Sequence, residues 1–233
     1  MNAPAPLPPE PTASVRVLFV AILNQKDVAM NRLIVFVAAF ALAMPVFAQT
    51  RSKGLTGNLH PVNAFGEGVT GVVLLTPRNG MLEIRLEAAG VPPGMHLTHF
   101  HGFVVADPRN ARCPTQAADV NEDGYIDLIE TREVAGITMI PLTADPVSLE
   151  IDSDSYPRAE EDGRIRYEKT VEIAALRQAV REKFDTPLVL ERRVLFMHGA
   201  PANTELPDSV QSLEGVPARI TIPIACAELG SAE

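Results

Sequence analysis

Apolar and polar positions alternate along part of the first half of the chain, which is the pattern of a β-strand with one buried face. Residues 81–88 place three aliphatic side chains, Leu82, Ile84 and Leu86, between charged neighbours. A β-branched and aliphatic run, residues 69–75, precedes them, and Arg78-Asn79-Gly80 lies between the two segments. Asn-Gly is a strong hairpin-turn signal, so the pattern predicts a β-hairpin that packs on a core.

Shorter apolar runs, separated by turn-forming residues, predict that most of the remaining chain is also β-structure. They are residues 96–105, 137–142, 147–151, 188–197 and 218–225. One segment, residues 171–184, instead repeats its apolar positions every three or four residues, which predicts a helix with Thr170 as a possible cap. The chain is therefore predicted to be mainly β with one helix.

The amino-terminal part follows a different pattern. Residues 30–48 place Arg32 before the twelve-residue apolar run 33–44, and Pro45 and a Val-Phe-Ala triplet ending at Ala48 follow. This order is typical of a secretory signal peptide, and the run is much shorter than the about 20 residues of a spanning helix. We therefore expect export to the periplasm or out of the cell, with cleavage near Ala48. An uncleaved anchor is the alternative.

The signal peptide divides the chain into parts. Residues 1–29 begin Pro-rich and show no periodic pattern, so they are predicted to be a non-native or disordered upstream extension. After cleavage, the chain is predicted to comprise a linker at 49–64, one β-domain at 65–228 and a tail at 229–233. About 185 residues are enough for one domain with a sizeable core.

Charge narrows the classes of partner. The chain carries 20 Lys and Arg against 29 Asp and Glu; three of the basic and two of the acidic residues lie in residues 1–48, so the remainder has a formal charge of −10. An acidic surface repels nucleic acid and anionic lipid and attracts cations. We therefore expect metal ions as partners, no nucleic acid and, after signal cleavage, no membrane.

Two cysteines occur, Cys113 and Cys226, both after the signal peptide. An isolated pair in an oxidising compartment usually forms a disulfide, and two separate buried thiols are the alternative. Two cysteines alone cannot build a structural zinc site.

Residues 119–130 match the EF-hand calcium-loop pattern at every diagnostic position. Gly124 permits the sharp turn of such a loop, and Ile126 is the apolar position that holds it to the fold. The predicted ligands are the side chains of Asp119, Asn121 and Asp123, the Tyr125 carbonyl, Asp127 directly or through water, and both oxygens of Glu130. An acidic turn that has this order by chance is the alternative.

The flanks of the loop are less regular than those of a paired EF-hand. Cys113-Pro114 is a poor place for a long entering helix, and residues 115–118 are long enough for one turn. The loop is therefore predicted to be inserted into a β-domain, which favours a structural or extracellular-strength calcium site over a cytosolic sensor.

Histidine is scarce, five in all, yet His96, His99 and His101 lie within six residues. On a regular strand, His99 and His101 point to one face and His96 points to the other. Paired imidazoles suit copper or zinc. Histidines that bind no metal are the alternative.

The segment 90–101, GVPPGMHLTHFH, resembles the signature strand of the copper/zinc superoxide dismutase family, where a Pro-Gly turn precedes a structural histidine and a copper-binding His-x-His pair. Cys113, the Ile-Ala-Cys-Ala segment 224–227 and the segment 193–199 are similar to that family's disulfide cysteines and late histidine strand. Over about residues 65–228, the resemblance implies a Greek-key β-barrel or sandwich. It also implies the copper ligands His99, His101 and His198, a structural His96 and a Cys113–Cys226 bond.

The chain also departs from that family. It has no histidine between residues 101 and 198 to bridge copper to zinc, and the calcium loop occupies this region. Pro223 stands where the family has an active-site arginine, and Arg219 is close but not equivalent. We therefore expect no zinc and assign no catalytic residue. His60 has no counterpart in the family and is expected to be an ordinary surface or loop residue.

These features predict an exported calcium-binding, superoxide dismutase-like protein that holds copper through three histidines with little or no dismutase turnover. One alternative is a calcium-stabilised structural or adhesion module, similar to chordin-type domains, without a transition metal. Another is an active copper-dependent superoxide dismutase.

Overall fold

The computed structural model describes residues 53–104, 109–152 and 154–232, which belong to one unit of the chain, Ala48–Glu233. The predicted upstream extension and signal peptide lie outside the described residues. The strands are β1 (Leu55–Pro61), β2 (Thr70–Arg78), β3 (Met81–Ala89), β4 (Gly94–Met95), β5 (Thr98–Gly102), β6 (Ile137–Pro141), β7 (Arg158–Ala159), β8 (Ile165–Glu172), β9 (Val194–His198), β10 (Pro223–Glu228) and β11 (Gly230–Ser231). The helices are α1 (Arg132–Ala135), α2 (Ile173–Phe184) and α3 (Ala218–Thr221).

Most strands form one curled antiparallel sheet, in the order β6-β5-β9-β10-β1-β2-β3-β8, and β11 pairs with β1. Strands β4 and β7 pair separately. Sheet neighbours are often distant in sequence. For example, β9 lies between β5 and β10 and places Phe196 opposite His99. The described part therefore confirms a mainly β fold. The Greek-key barrel or sandwich stays a prediction.

Strands β2 and β3 form the predicted hairpin, with Thr70 opposite Ala89 at its open end. Asn79 and Gly80 connect them with φ angles of 51° and 79°, and both central residues of a type I′ turn need such positive values. The alternating aliphatic side chains of β3 are buried, as predicted.

Both faces of the central strands β5 and β9 are covered. Leu195 and Met197 of β9 contribute to the larger apolar core, while Val194 and Phe196 point to a smaller core on the opposite face. The buried members of the smaller core are Val62, Ala111, Ala118, Ile126, Ala135, Val194, Phe196 and Cys226. The segment between β5 and β6, which holds the predicted calcium loop, therefore packs on this face.

The predicted domain boundaries were too narrow. Strand β1 lies within residues 49–64, predicted to be a linker, and β11 lies within the predicted tail. Leu55 and Leu59 of β1 are buried, and this strand pairs with β2, β10 and β11. Two apolar side chains are too weak a sequence signal to predict a strand here. The backbone pairing of β1 with distant strands determines its conformation.

Four predicted elements differ from those observed. Residues 147–151 form no strand, because Asp145 accepts a hydrogen bond from the Val147 amide and a 3₁₀ turn, Pro146–Ser148, follows. The predicted strands 188–197 and 218–225 are strands only where they overlap β9 and β10. Helix α3 forms the start of the second one. Helix α2 begins at Ile173, so Thr170 is not its cap; strand β8 pairs with β3 as far as Glu172.

Candidate metal centre

Three histidines converge on one face of the sheet. His99 and His101 are two residues apart on β5, and His198 is the last residue of the adjacent strand β9. The Nδ1 atom of His99 lies 3.1 Å from the Nε2 atom of His101, and one ring nitrogen from each of the three residues lies within 4.8 Å of the others. Their exposed fractions are only 5%, 1% and 1%. These three buried histidines could hold one metal ion.

The His198 ring is oriented by the backbone. Its Nδ1 atom lies 2.6 Å from the Thr221 carbonyl oxygen, which can only accept, so Nδ1 carries the proton and Nε2 has a lone pair. This buried Nε2 atom has no hydrogen-bond partner among the described residues. A buried acceptor without a partner is costly, and a metal ion would satisfy it. The donor set therefore fits a transition metal.

His96 lies outside this trio. Its Nδ1 atom is 2.9 Å from the His198 carbonyl and its Nε2 atom is 2.6 Å from the Pro92 carbonyl. Both ring nitrogens are thus directed at backbone oxygens and connect the turn before β5 to the end of β9. His60 is exposed on β1, as expected of a surface residue.

Burial keeps the three rings neutral. It lowers the pKa of His99 and of His101 well below 6.5, and the neighbouring histidines lower both further. Burial also lowers the pKa of His198 to about 4. Neutral imidazole is the form that binds a metal, so the site can accept one at neutral and mildly acidic pH.

We expect the metal-free protein to lose stability as the pH falls from 6.5 toward 4. The unfolded histidines titrate near 6.5, whereas folded His198 has a pKa of about 4, so the unfolded state binds more protons in this interval. The free energy of unfolding therefore decreases with falling pH, by on the order of 3 kcal/mol for His198 alone. Urea unfolding at a series of pH values measures the slope. A His198→Asn variant should show a shallower slope and His60→Asn an unchanged one; equal slopes in all three proteins would contradict the expectation.

Aromatic rings support the centre from two sides. The Phe196 ring lies 4.7 Å from the His101 ring and 5.6 Å from the His198 ring, measured between centroids. Tyr156 meets the His99 ring edge-on at 6.2 Å, and its hydroxyl donates to the Ile151 carbonyl. Burial raises the Tyr156 pKa, so this phenol stays protonated.

A cavity of about 640 Å³ opens above the three histidines. Its walls are mostly aliphatic, and Arg132 at the start of α1 lines it as well. Sequence analysis did not identify Arg132 as a site residue. Its position, two residues after the predicted calcium loop, gives no signal that it reaches the histidines.

Cys113 and Cys226 form a disulfide with a Cα–Cα distance of 5.7 Å, which confirms the predicted pair. The bond joins the segment that follows β5 to strand β10. Cys226 is fully buried and lies opposite Phe196 in the β9–β10 register, so the bond is close to the face that carries the histidines.

The predicted calcium ligands lie on a tightly folded loop. Asp119 accepts hydrogen bonds from the amides of Asp123 and Gly124, and Gly124 has a φ of 87°. Glu130 reaches back across the loop, where it accepts from the amides of Val120 and Asp127. The residues at the two ends of the loop are thus brought together.

Asp127 has a different environment from the other predicted ligands. It is buried, and its two oxygens accept backbone hydrogen bonds from Ile129, Glu130 and Gln211. These contacts cap the turn that leads into α1 and connect the loop to the segment before α3.

Asn63 anchors the loop and was missed by sequence analysis. Its side-chain amide donates to the Ile126 carbonyl and accepts from the Ile126 amide, at 2.9 and 2.7 Å. It also donates to the Pro223 carbonyl of β10. Since Asn63 lies in the predicted linker, 63 residues before its partner, no local pattern could have indicated this contact.

A scan against protein-family models gives no match for this chain, and a search of curated proteins gives none either. In the described residues, no helix has both the length and the apolar character needed to cross a membrane.

Proposed function

We propose that this is an exported, superoxide dismutase-like protein that binds calcium through residues 119–130 and copper through His99, His101 and His198, with little or no dismutase turnover. The convergence of three buried, neutral imidazoles, of which His101 and His198 each have one buried ring nitrogen without a hydrogen-bond partner among the described residues, supports the transition-metal site. Three imidazoles suit copper or zinc, and the resemblance in sequence favours copper. When bound, copper would supply one-electron redox chemistry.

Three observations support low turnover. The residues that would bridge to zinc or attract a small anion in the resembled family have no counterpart, and buried Pro223 occupies the place of the arginine. Tyr156 is held as a protonated phenol by burial and donates to a backbone carbonyl, so it is a poor proton donor for a substrate. The walls above the histidines are largely aliphatic, and Arg132 and Asp152, which both line the cavity, carry opposite charges, so a small inorganic anion is attracted only weakly.

Copper titration tests the transition-metal site. We expect one copper(II) per chain with nitrogen hyperfine structure in its electron paramagnetic resonance spectrum. The His99→Ala, His101→Ala double variant should bind at least about a hundredfold more weakly, about 2.7 kcal/mol, because one of three imidazoles remains. The loaded protein should consume superoxide no faster than free copper.

His60→Ala is the matched control, since this histidine is exposed and away from the trio. Unchanged copper binding in the double variant would contradict the site. A rate near the diffusion limit of about 10⁸–10⁹ M⁻¹s⁻¹ that the double variant lacks would contradict low turnover. Calcium binding without copper binding would favour the structural or adhesion module.

Two features support the calcium part of the proposal. The loop has the glycine turn and the end-to-end closure through Glu130 that an EF-hand-type loop uses. Asn63 pairs with both backbone groups of Ile126 and thereby fixes a single loop without a second EF-hand. Export is supported by the Cys113–Cys226 bond, because disulfides persist mainly in oxidising compartments.

We expect calcium to stabilise the protein by about 2.7 kcal/mol at a free concentration 100 times the dissociation constant. The acidic side chains of the empty loop repel one another, and calcium binds the folded loop only. Thermal unfolding with calcium and with chelator measures the difference. Glu130→Gln should remove most of it, whereas Glu133→Gln, an exposed acid just beyond the loop, should not. Equal melting curves with calcium and chelator would refute calcium binding.

A further inference from the structure

We infer that the cavity above the three histidines binds a small organic monocarboxylate with an apolar body. The inference rests on the proposed function for the metal at the cavity floor. The rest of the argument depends only on the walls and the opening. At about 640 Å³, the cavity lies within the range of about 300–1,000 Å³ that is usual for small-molecule sites.

The opening of the cavity is unusually apolar. Ile137, Ile151 and Leu213 line it, with exposed fractions of 40%, 45% and 42%. The other large apolar side chains exposed to this degree in the described residues, Met81 and Val120, do not line it. Apolar side chains that cluster at one opening, rather than scattering over the surface, mark a binding site. A ligand with an apolar body would cover them.

The apolar wall continues from the opening toward the histidines. The lining also includes five apolar side chains that are less exposed than the three at the opening: Met95, Leu97, Leu128, Val216 and Ile220. A small inorganic anion would leave this surface in contact with water. A flat protein surface would cover the rim but would not fill the depth. A compact organic molecule can do both.

Charge selects the head group of the ligand. Arg132 lines the cavity, and its guanidinium has no ion pair or hydrogen bond to any described residue. A carboxylate can form two parallel hydrogen bonds with guanidinium and can also coordinate a metal. Asp152 lines the same cavity and would repel a second anionic group. The wall therefore favours a single carboxylate.

Three probe molecules distinguish the contribution of the apolar body to binding from that of the carboxylate. Benzoate has both the ring and the carboxylate, benzyl alcohol has the ring without the charge, and acetate has the charge without the ring. Isothermal titration with metal-free protein should show benzoate binding at least tenfold more tightly than either of the others. Copper loading should tighten benzoate binding further and leave benzyl alcohol unchanged.

Substitutions of exposed residues test the cavity wall with little risk to folding. Arg132→Gln should weaken benzoate binding at least tenfold and leave benzyl alcohol unchanged. Arg78→Gln, at the exposed hairpin turn, is its control. Leu213→Gln should weaken both aromatic probes, and Met81→Gln should weaken neither.

Different results would overturn different claims. If copper binds but benzoate binds no more tightly than acetate, the cavity inference is wrong and the metal site stands. If copper does not bind but benzoate binds with the expected dependence on Arg132, the metal site is wrong and the ligand site stands. A concentration-dependent dimer that Leu213→Gln abolishes would also overturn the inference, because a second copy would then cover the opening.

Discussion

Loss of the Cys113–Cys226 disulfide is expected to lower the free energy of unfolding by about 4 to 5 kcal/mol. The two cysteines are 113 residues apart, so the bond removes a large amount of conformational freedom from the unfolded chain. It also holds the segment before the predicted calcium loop against β10. Urea unfolding of a Cys113→Ala, Cys226→Ala double variant, compared with the unchanged protein, measures the loss.

Chemical reduction of the unchanged protein is the matched control. Both sulfur atoms remain after reduction, so a loss equal to that of the double variant assigns the effect to the cross-link. A much larger loss in the variant would assign part of it to the packing of Cys226, which is fully buried. Equal urea midpoints for oxidised and reduced protein would refute the expectation.

The sequence predicts best the elements whose contacts are local. The β2–β3 hairpin follows from alternation and one Asn-Gly turn, and its partners are adjacent in the chain. Helix α2 follows from its own apolar period. Its first residue was misplaced because β8 extends to Glu172 through pairing with the distant strand β3, which no local pattern reports.

The candidate metal centre was predictable in part. His99 and His101 are two residues apart, so strand geometry alone places them on one face. His198 could be added only through the family resemblance, because its position depends on the pairing of β5 with β9, about a hundred residues later. The cavity and the role of Arg132 could not be predicted for the same reason, because the residues that line the cavity come from five separate parts of the chain.

The two candidate metal sites share structural support. Leu128 lies in the predicted calcium loop and also lines the cavity above the histidines. Ile126, from the same loop, packs in the smaller core together with Phe196. Asp127 accepts a hydrogen bond from the backbone amide of Gln211, which lies two residues before Leu213 at the cavity opening. An ordered loop therefore positions one wall of the cavity.

Phe196→Ala is expected to lower the free energy of unfolding by about 3 to 5 kcal/mol, the usual cost of removing a buried phenylalanine ring. Phe196 is completely buried, lies opposite both His99 and Cys226, and contacts the rings of His101 and His198. Urea unfolding of the metal-free protein measures the loss. A loss below about 1 kcal/mol would contradict the packing described for this ring.

Phe100 provides the matched control, because it is equally buried but points from β5 into the larger core, away from the histidines. The milder Phe196→Leu and Phe100→Leu variants should each lose stability and remain folded. Only Phe196→Leu should also weaken copper binding, since its ring holds two of the three proposed ligands in place. If both variants bound copper as tightly as the unchanged protein, Phe196 would stabilise the sheet without positioning the histidines. Weaker binding in Phe196→Leu alone would assign it both roles.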